Sequence, residues 1–269
     1  MKYCWYCLAL LVLASCQKDV TAPPIHREDV QLADEDPLLF GNPSLAAATT
    51  DSFNNYLLHQ PTYAISYSRD RGTSNWVSWH LCAKDLGSAS RQDNFRADTS
   101  LPDGWYRVGA SAYSGSGFDR GHNIPSADRT RTVEENSSTF LMTNMIPQAP
   151  QHNRRTWAAL EDSLRRLVNA GFEVYVVMGV YGVGGTGSNG FATTINGGRV
   201  TVPAGIWKVA VVLPDGDKDL SRINENTRVI AVDVPNVNTV QANWKNYRVS
   251  IREIEKQTGY NLLNRLPAG

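Results

Sequence analysis

The sequence predicts one α+β domain built on a central, mostly antiparallel sheet flanked by helices. Alternation in YAISYS (Tyr63 to Ser68) and WVSWHL (Trp76 to Leu81), on either side of the turn-rich RDRGTSN, is the pattern of an antiparallel hairpin. Several later apolar runs are nearly continuous, as in strands buried on both faces. Helical signals are few, and 269 residues with 42% hydrophobic content suffice for one sizeable core.

Taken in order, the chain opens with a single Lys2 and an apolar run from Tyr3 to Ala14, too short to cross a bilayer comfortably. Residues 1–15 therefore read as a signal peptide. The end of the run, Leu13-Ala14-Ser15-Cys16, resembles a bacterial lipoprotein signal, with cleavage before Cys16 and a lipid on its thiol. An ordinary secretory signal cleaved elsewhere is the alternative, and either one exports the protein. The expected location is the bacterial cell envelope, periplasmic or surface, by way of the lipid anchor, or else the medium. Gln17-Lys18-Asp19 is similar to the charged stretch that sends some lipoproteins to the surface. Residues 16–37, polar with paired prolines and mixed charge, read as a flexible tether, and the folded domain as 38–269. Of the four cysteines, Cys4 and Cys7 leave with the signal and Cys16 carries the lipid. Cys82 alone remains, a small half-buried residue without an activating base.

After the hairpin, strands are expected at Phe140–Ile146, Glu173–Val180, Arg199–Leu213 and Arg228–Val234. One helix is expected from about Gln151 to Ala170, stopped by Gly171, and another from Ile251 to Thr258 before Gly259. The glycine-rich YGVGGTGSNG (Tyr181 to Gly190) lacks the Lys-Ser/Thr ending of a P-loop and reads as a flexible loop.

Lys plus Arg and Asp plus Glu both total 26, so the global field neither attracts nor repels a polyanion. That excludes a histone-like binder and leaves any nucleic-acid site to local clustering. Such a cluster lies in SGSGFDRGHNIPSADRTR (Ser114 to Arg131), where Arg120, His122, Arg129 and Arg131 share a Gly- and Ser-rich stretch suited to phosphate. Downstream, TNMIPQAPQHNRRTWAALEDSLRRL leads into the first helix. At roughly 100° per residue, Trp157, Leu160, Leu164, Leu167 and Val168 form an apolar stripe, and Asn153 projects along it at the first turn. Asn153 reads equally as a helix N-cap. Glu161 and Arg165 flank the stripe at i and i+4, where a surface ion pair is the plain reading. His122 is either a buried structural histidine or a reactive one.

FDRGHNIPSADRT resembles the Asp-Arg-Gly-His motif of the DNA/RNA non-specific endonucleases, and TNMIPQ...N...W..LE is similar to that family's second block. A third segment, SRQDNFRADTSLPDGW (Ser90 to Trp105), also matches, and the resemblance runs from about Leu38 to Leu262. It implies a ββα-metal nuclease fold, in which a hairpin supplies a histidine and a crossing helix an asparagine. It also implies His122 as general base and Asn153 as the one direct ligand of Mg2+, with Mn2+ a plausible substitute. Glu161 would hold a metal-bound water, and Arg91, Arg120 and Arg165 would engage phosphate. Asp119 and Asn144 would anchor the loop and orient the histidine. The implied substrates are DNA and RNA without sequence preference, cut to 5′-phosphates. A dedicated protein inhibitor is a conceivable further partner. The competing reading is a surface lipoprotein that binds nucleic acid without turnover.

Overall fold

The computed structural model describes Met1 and residues 32–266. The signal peptide, Cys16 and most of the tether lie outside the described residues. Residues from Leu32 onward belong to one compact unit, which begins earlier than the expected boundary at Leu38. The reason is visible at Asp34, whose carboxylate accepts hydrogen bonds from the backbone N–H groups of Lys218 and Asp219.

The hairpin is present, with a further strand at its edge: β1 (Tyr56–Gln60), β2 (Tyr63–Ser68) and β3 (Thr73–Leu81). Next come β4 (Asp119–His122), helix α1 (Val133–Ser138) and β5 (Met145–Gln148). A π-helical turn over His152–Trp157 runs into α2 (Ala158–Asn169), followed by β6 (Phe172–Tyr181). Four short strands, β7 (Gly185–Gly187), β8 (Gly190–Ala192), β9 (Thr194–Ile195) and β10 (Val200–Thr201), precede β11 (Gly205–Pro214). α3 (Asp219–Arg222), β12 (Arg228–Pro235) and α4 (Ile251–Thr258) complete the fold. The main sheet has the order β1-β2-β3-β6-β11-β12, and every neighbouring pair is antiparallel.

Both faces of this sheet are covered, so its strands read as continuous apolar runs. Val174, Val176 and Met178 of β6 pack with Ile206, Ala210 and Val212 of β11 beneath Trp157, Leu160, Leu164 and Val168 of the helix. The alternate residues Val177, Trp207 and Val209 pack on the opposite face with Ile254 of α4 and Leu262. Trp157, Leu160, Leu164 and Val168 of the helix stripe are at most 2% exposed while Leu167 is only partly buried, and truncating Leu160 or Leu164 to Ala would cost about 2–5 kcal/mol. The alternation in the hairpin has a different meaning from a solvated face. Ser66 and Ser68 are buried, and their hydroxyls donate to Asn55 Oδ1 at 2.7 Å and Asn54 Oδ1 at 2.9 Å.

Three expectations are corrected. Phe140–Ile146 is not one strand: Met142–Asn144 is a 3-10 turn, because the Asn144 amide bonds the backbone of Ile124 and Thr139 instead of leaving them for a ladder. Arg199–Leu213 is interrupted at Pro203, which has no N–H to donate. The glycine-rich segment forms the β7–β8 ribbon, tied to a neighbouring loop by Ser188 N–H donating to the Gly117 carbonyl at 2.8 Å. Among the described residues, no helix is long and apolar enough to cross a membrane.

Candidate active site

β4 and β5 form a two-stranded ribbon with Asp119 opposite Gln148 and His122 opposite Met145, and the helix follows β5 directly. This ββα unit carries the motif residues. Gly121 permits the close pairing: a Cβ there would lie 2.3 Å from Gln148 Oε1. His122 ends β4 and is bracketed edge-on by Phe140, with centroids 5.0 Å apart, and by Phe95 at 5.6 Å. The guanidinium of Arg120 lies 3.8 Å over Phe95 and that of Arg91 4.8 Å over Phe140, so both cations share the histidine's aromatic cradle. Among the described residues, buried His122 Nε2 has no hydrogen-bond partner. Burial, then the charges of Arg91 and Arg120, push the imidazole pKa down to about 3, so the ring is neutral at pH 7.

At the other end of β4, Asp119 Oδ2 accepts from Asn153 Nδ2 at 2.9 Å, while Arg154 Nε and Nη2 donate to the same carboxylate at 2.8 and 2.7 Å. Asn153 is therefore not a helix N-cap. It lies inside the π-helical turn, and its amide nitrogen is committed to Asp119, which leaves Oδ1 as an acceptor. Asn144 is fully buried and fixes the loop between the two strands: Oδ1 accepts from Ile124 N–H, and Nδ2 donates to the Ile124 and Thr139 carbonyls.

Glu161 and Arg165 do not pair with each other. Arg165 donates to buried Asp128 at 2.7 Å and to Asp162 at 2.6 Å. Glu161 Oε1 instead faces Lys208 Nζ from β11 at 3.5 Å. Burial raises the Glu161 pKa, with Lys208 as the largest opposing influence. Arg91 also donates to Asp93 at 2.7 Å and to Ser126 Oγ at 2.8 Å.

Two cations of the expected phosphate cluster are engaged elsewhere. Arg129 is buried, donating to the carbonyls of Asp128, Thr62 and His80, and Arg131 pairs with Glu135. Lys208 and Asp128 went unseen in the sequence, although a single lysine inside the apolar GIWKVAVVL was a readable signal. Among the described residues, the groups of three His, Cys, Asp or Glu side chains both centre on His80, with Cys82 and Asp85 or with Glu173 and Asp219. These carboxylates already have cations, since Arg222 pairs with Glu173 and Asp219, and Arg129 lies 3.5 Å from Asp85. Burial pushes the Cys82 thiol up to about 11, which keeps it protonated.

Comparison with known proteins agrees with this geometry. The family model described as DNA/RNA non-specific endonuclease matches residues 41–269. A nuclease of Nostoc sp. is 51% identical over 84% of this chain and 80% of its own. Nuclease C1 of Cunninghamella echinulata var. echinulata is 32% identical over 85% and 88%. Among solved structures, a chain from the EndoG/EndoGI complex, which addresses the mechanism of EndoG inhibition, superposes with a TM-score of 0.68. It is 24% identical and is covered over 86% of this chain and 91% of that chain, a likeness of fold. The chain belongs to the DNA/RNA non-specific endonuclease family, with its ββα-metal fold, and is an endonuclease, a hydrolase acting on nucleic acids.

Proposed function

We propose that this protein is an exported endonuclease that hydrolyses DNA and RNA alike, with His122 as general base, leaving 5′-phosphate ends. The observation that carries the reading is the neutral His122 ring, whose Nε2 has no partner among the described residues while two guanidiniums stand beside it. Such a nitrogen accepts a proton from water next to groups that hold a phosphate. Arg91, Arg120 and Arg165 are the phosphate-binding cations, and grip on phosphate alone reads no bases and no sugar. The chemistry of the donors also fits a hydrated divalent cation. Asn153 Oδ1 would hold it directly, Glu161 would hold one of its waters, and Asp119 and Asn144 keep the two motif segments in place. Mg2+, or Mn2+ in its stead, would supply charge neutralisation at the phosphate as the P–O bond breaks.

Export rests on the apolar run ending in Leu13-Ala14-Ser15-Cys16, with a lipid on Cys16 as the membrane link and the cell envelope as the location. The EndoG neighbour was solved with its inhibitor, which supports a protein inhibitor as a further class of partner. The test is degradation of plasmid DNA and of RNA with Mg2+, beside an EDTA control and His122→Ala. Both polymers should be degraded by the wild type, not at all in EDTA, and about 10²–10⁴-fold more slowly by His122→Ala. Binding without cleavage across Mg2+ and Mn2+ would replace this reading with a capture protein.

A further inference from the structure

We infer that Lys208 is a positioning residue for this site, its buried ammonium holding the Glu161 carboxylate from the sheet side and leaving the second carboxylate oxygen free for the metal's hydration shell. This rests on the reading of the site given above.

Lys208 sits on the face of β11 that otherwise presents Ile206, Ala210 and Val212 to the helix, and it is 1% exposed. Its Nζ lies 4.6 Å from the Trp157 ring centroid and 5.3 Å from that of Trp79, and among the described residues its one hydrogen bond is the 3.5 Å contact to Glu161 Oε1. An ammonium so enclosed is costly to bury, and apolar replacements for buried ion pairs are often neutral or stabilising. Packing and stability therefore do not account for a lysine here.

The anions facing it separate its roles. Asp128 is already satisfied, since Oδ2 accepts from Trp79 Nε1 at 3.1 Å and Oδ1 from Arg165 at 2.7 Å. Arg165 turns to Asp128 and Asp162 rather than to Glu161. Among the described residues, Glu161 has no side-chain donor except Lys208, and its side chain is 14% exposed. Without Lys208 the carboxylate would be a half-enclosed anion on the first turns of α2, with nothing to fix its rotamer. With it, one oxygen is anchored to the sheet and the other is open.

The test uses the full chain and Mn2+ alone as the probe, followed by calorimetric titration without nucleic acid, and then kinetics on DNA. Lys208→Met should bind Mn2+ about 10–100-fold more weakly, the usual loss when an orienting partner of a metal site is removed. At fixed metal its kcat should fall while KM for DNA holds, and its melting temperature should fall because Glu161 is left without its cation, a loss that the Glu161→Gln background should restore. Glu161→Gln should weaken Mn2+ binding to the same degree, and adding Lys208→Met to it should weaken binding no further. The double variant removes both charges together, so it leaves no unpaired ion to block folding. Wild-type Mn2+ affinity in Lys208→Met would overturn the inference, as would a full second loss in the Glu161→Gln background. So would failure of both Lys208→Met forms to fold. If the wild type neither binds Mn2+ nor cuts nucleic acid, the functional reading itself falls, whereas an active wild type with an unaffected variant strikes Lys208 alone.

Discussion

His122 and Asn153 are prepared in opposite ways, one by withholding a partner and the other by supplying one. Among the described residues the histidine's Nε2 is left without a hydrogen bond, whereas the Asn153 amide nitrogen is tied to Asp119, which decides which end of the amide is the acceptor. Asp119→Ala should let the amide flip and weaken Mn2+ binding about 10–100-fold. Arg154→Ala, which removes only the exposed partner of the same carboxylate, should cost less than about 1 kcal/mol in stability and leave metal affinity nearly unchanged. Equal losses in the two variants would show that Asp119 works through Arg154 rather than through Asn153. The motif residues were legible because each lies in a short contiguous segment. Their partners were not, since Arg165 to Asp128 spans 37 positions and Lys208 to Glu161 spans 47, and helical spacing favoured a Glu161–Arg165 pair that Asp128 outcompetes from a distant loop.

The ribbon and the helix after it are the elements that aim these side chains. α4 was legible to its C-terminal stop, where Gly259 closes it at φ +74°, whereas its N-cap, Ser250 accepting from Glu253 N–H, went unread. The helix carrying Asn153 was legible in its apolar stripe but not in its wide first turn, because a π-turn leaves no periodic trace in six residues. The tight β4–β5 pairing likewise depends on a residue that sequence alone marks only as a turn-former. A Cβ on Gly121 would meet Gln148 Cβ at 2.7 Å as well as its Oε1, and Gln148 is fully buried with nowhere to move. Gly121→Ala should therefore push the strands apart, destabilising the protein by about 1–3 kcal/mol. Because a shift of about 1 Å in a reacting group costs on the order of 10²-fold, kcat should fall far more than the urea midpoint suggests. A loss confined to stability would mean that the ribbon absorbs the methyl without moving His122.

At the scale of the molecule, the sheet is covered on both faces, which is why continuous apolar runs revealed its strands and why the serines alternating through β2 and β3 are buried as well. The same enclosure sets the response to pH. His152 is fully buried beside Trp157, neither ring nitrogen has a partner among the described residues, and burial followed by the Lys208 charge pushes its pKa down to about 3. His122 is lowered to about 3 as well. Between about 3 and the ordinary 6.5, the folded chain thus binds fewer protons than the unfolded one, so stability rises with pH across that window and is lost on acidification. Each histidine contributes a slope approaching 1.4 kcal/mol per pH unit. Glu161, raised by burial, holds extra protons in the folded state above its ordinary 4.5 and offsets part of that slope. Urea midpoints measured at pH 7 and pH 5 should therefore fall with acid in the wild type and fall less steeply in His152→Phe, which keeps an aromatic ring against Trp157 but cannot take up a proton. Parallel decline in the two proteins would mean that His152 keeps an ordinary affinity for protons, and that the acid sensitivity arises at His122 or at the carboxylates.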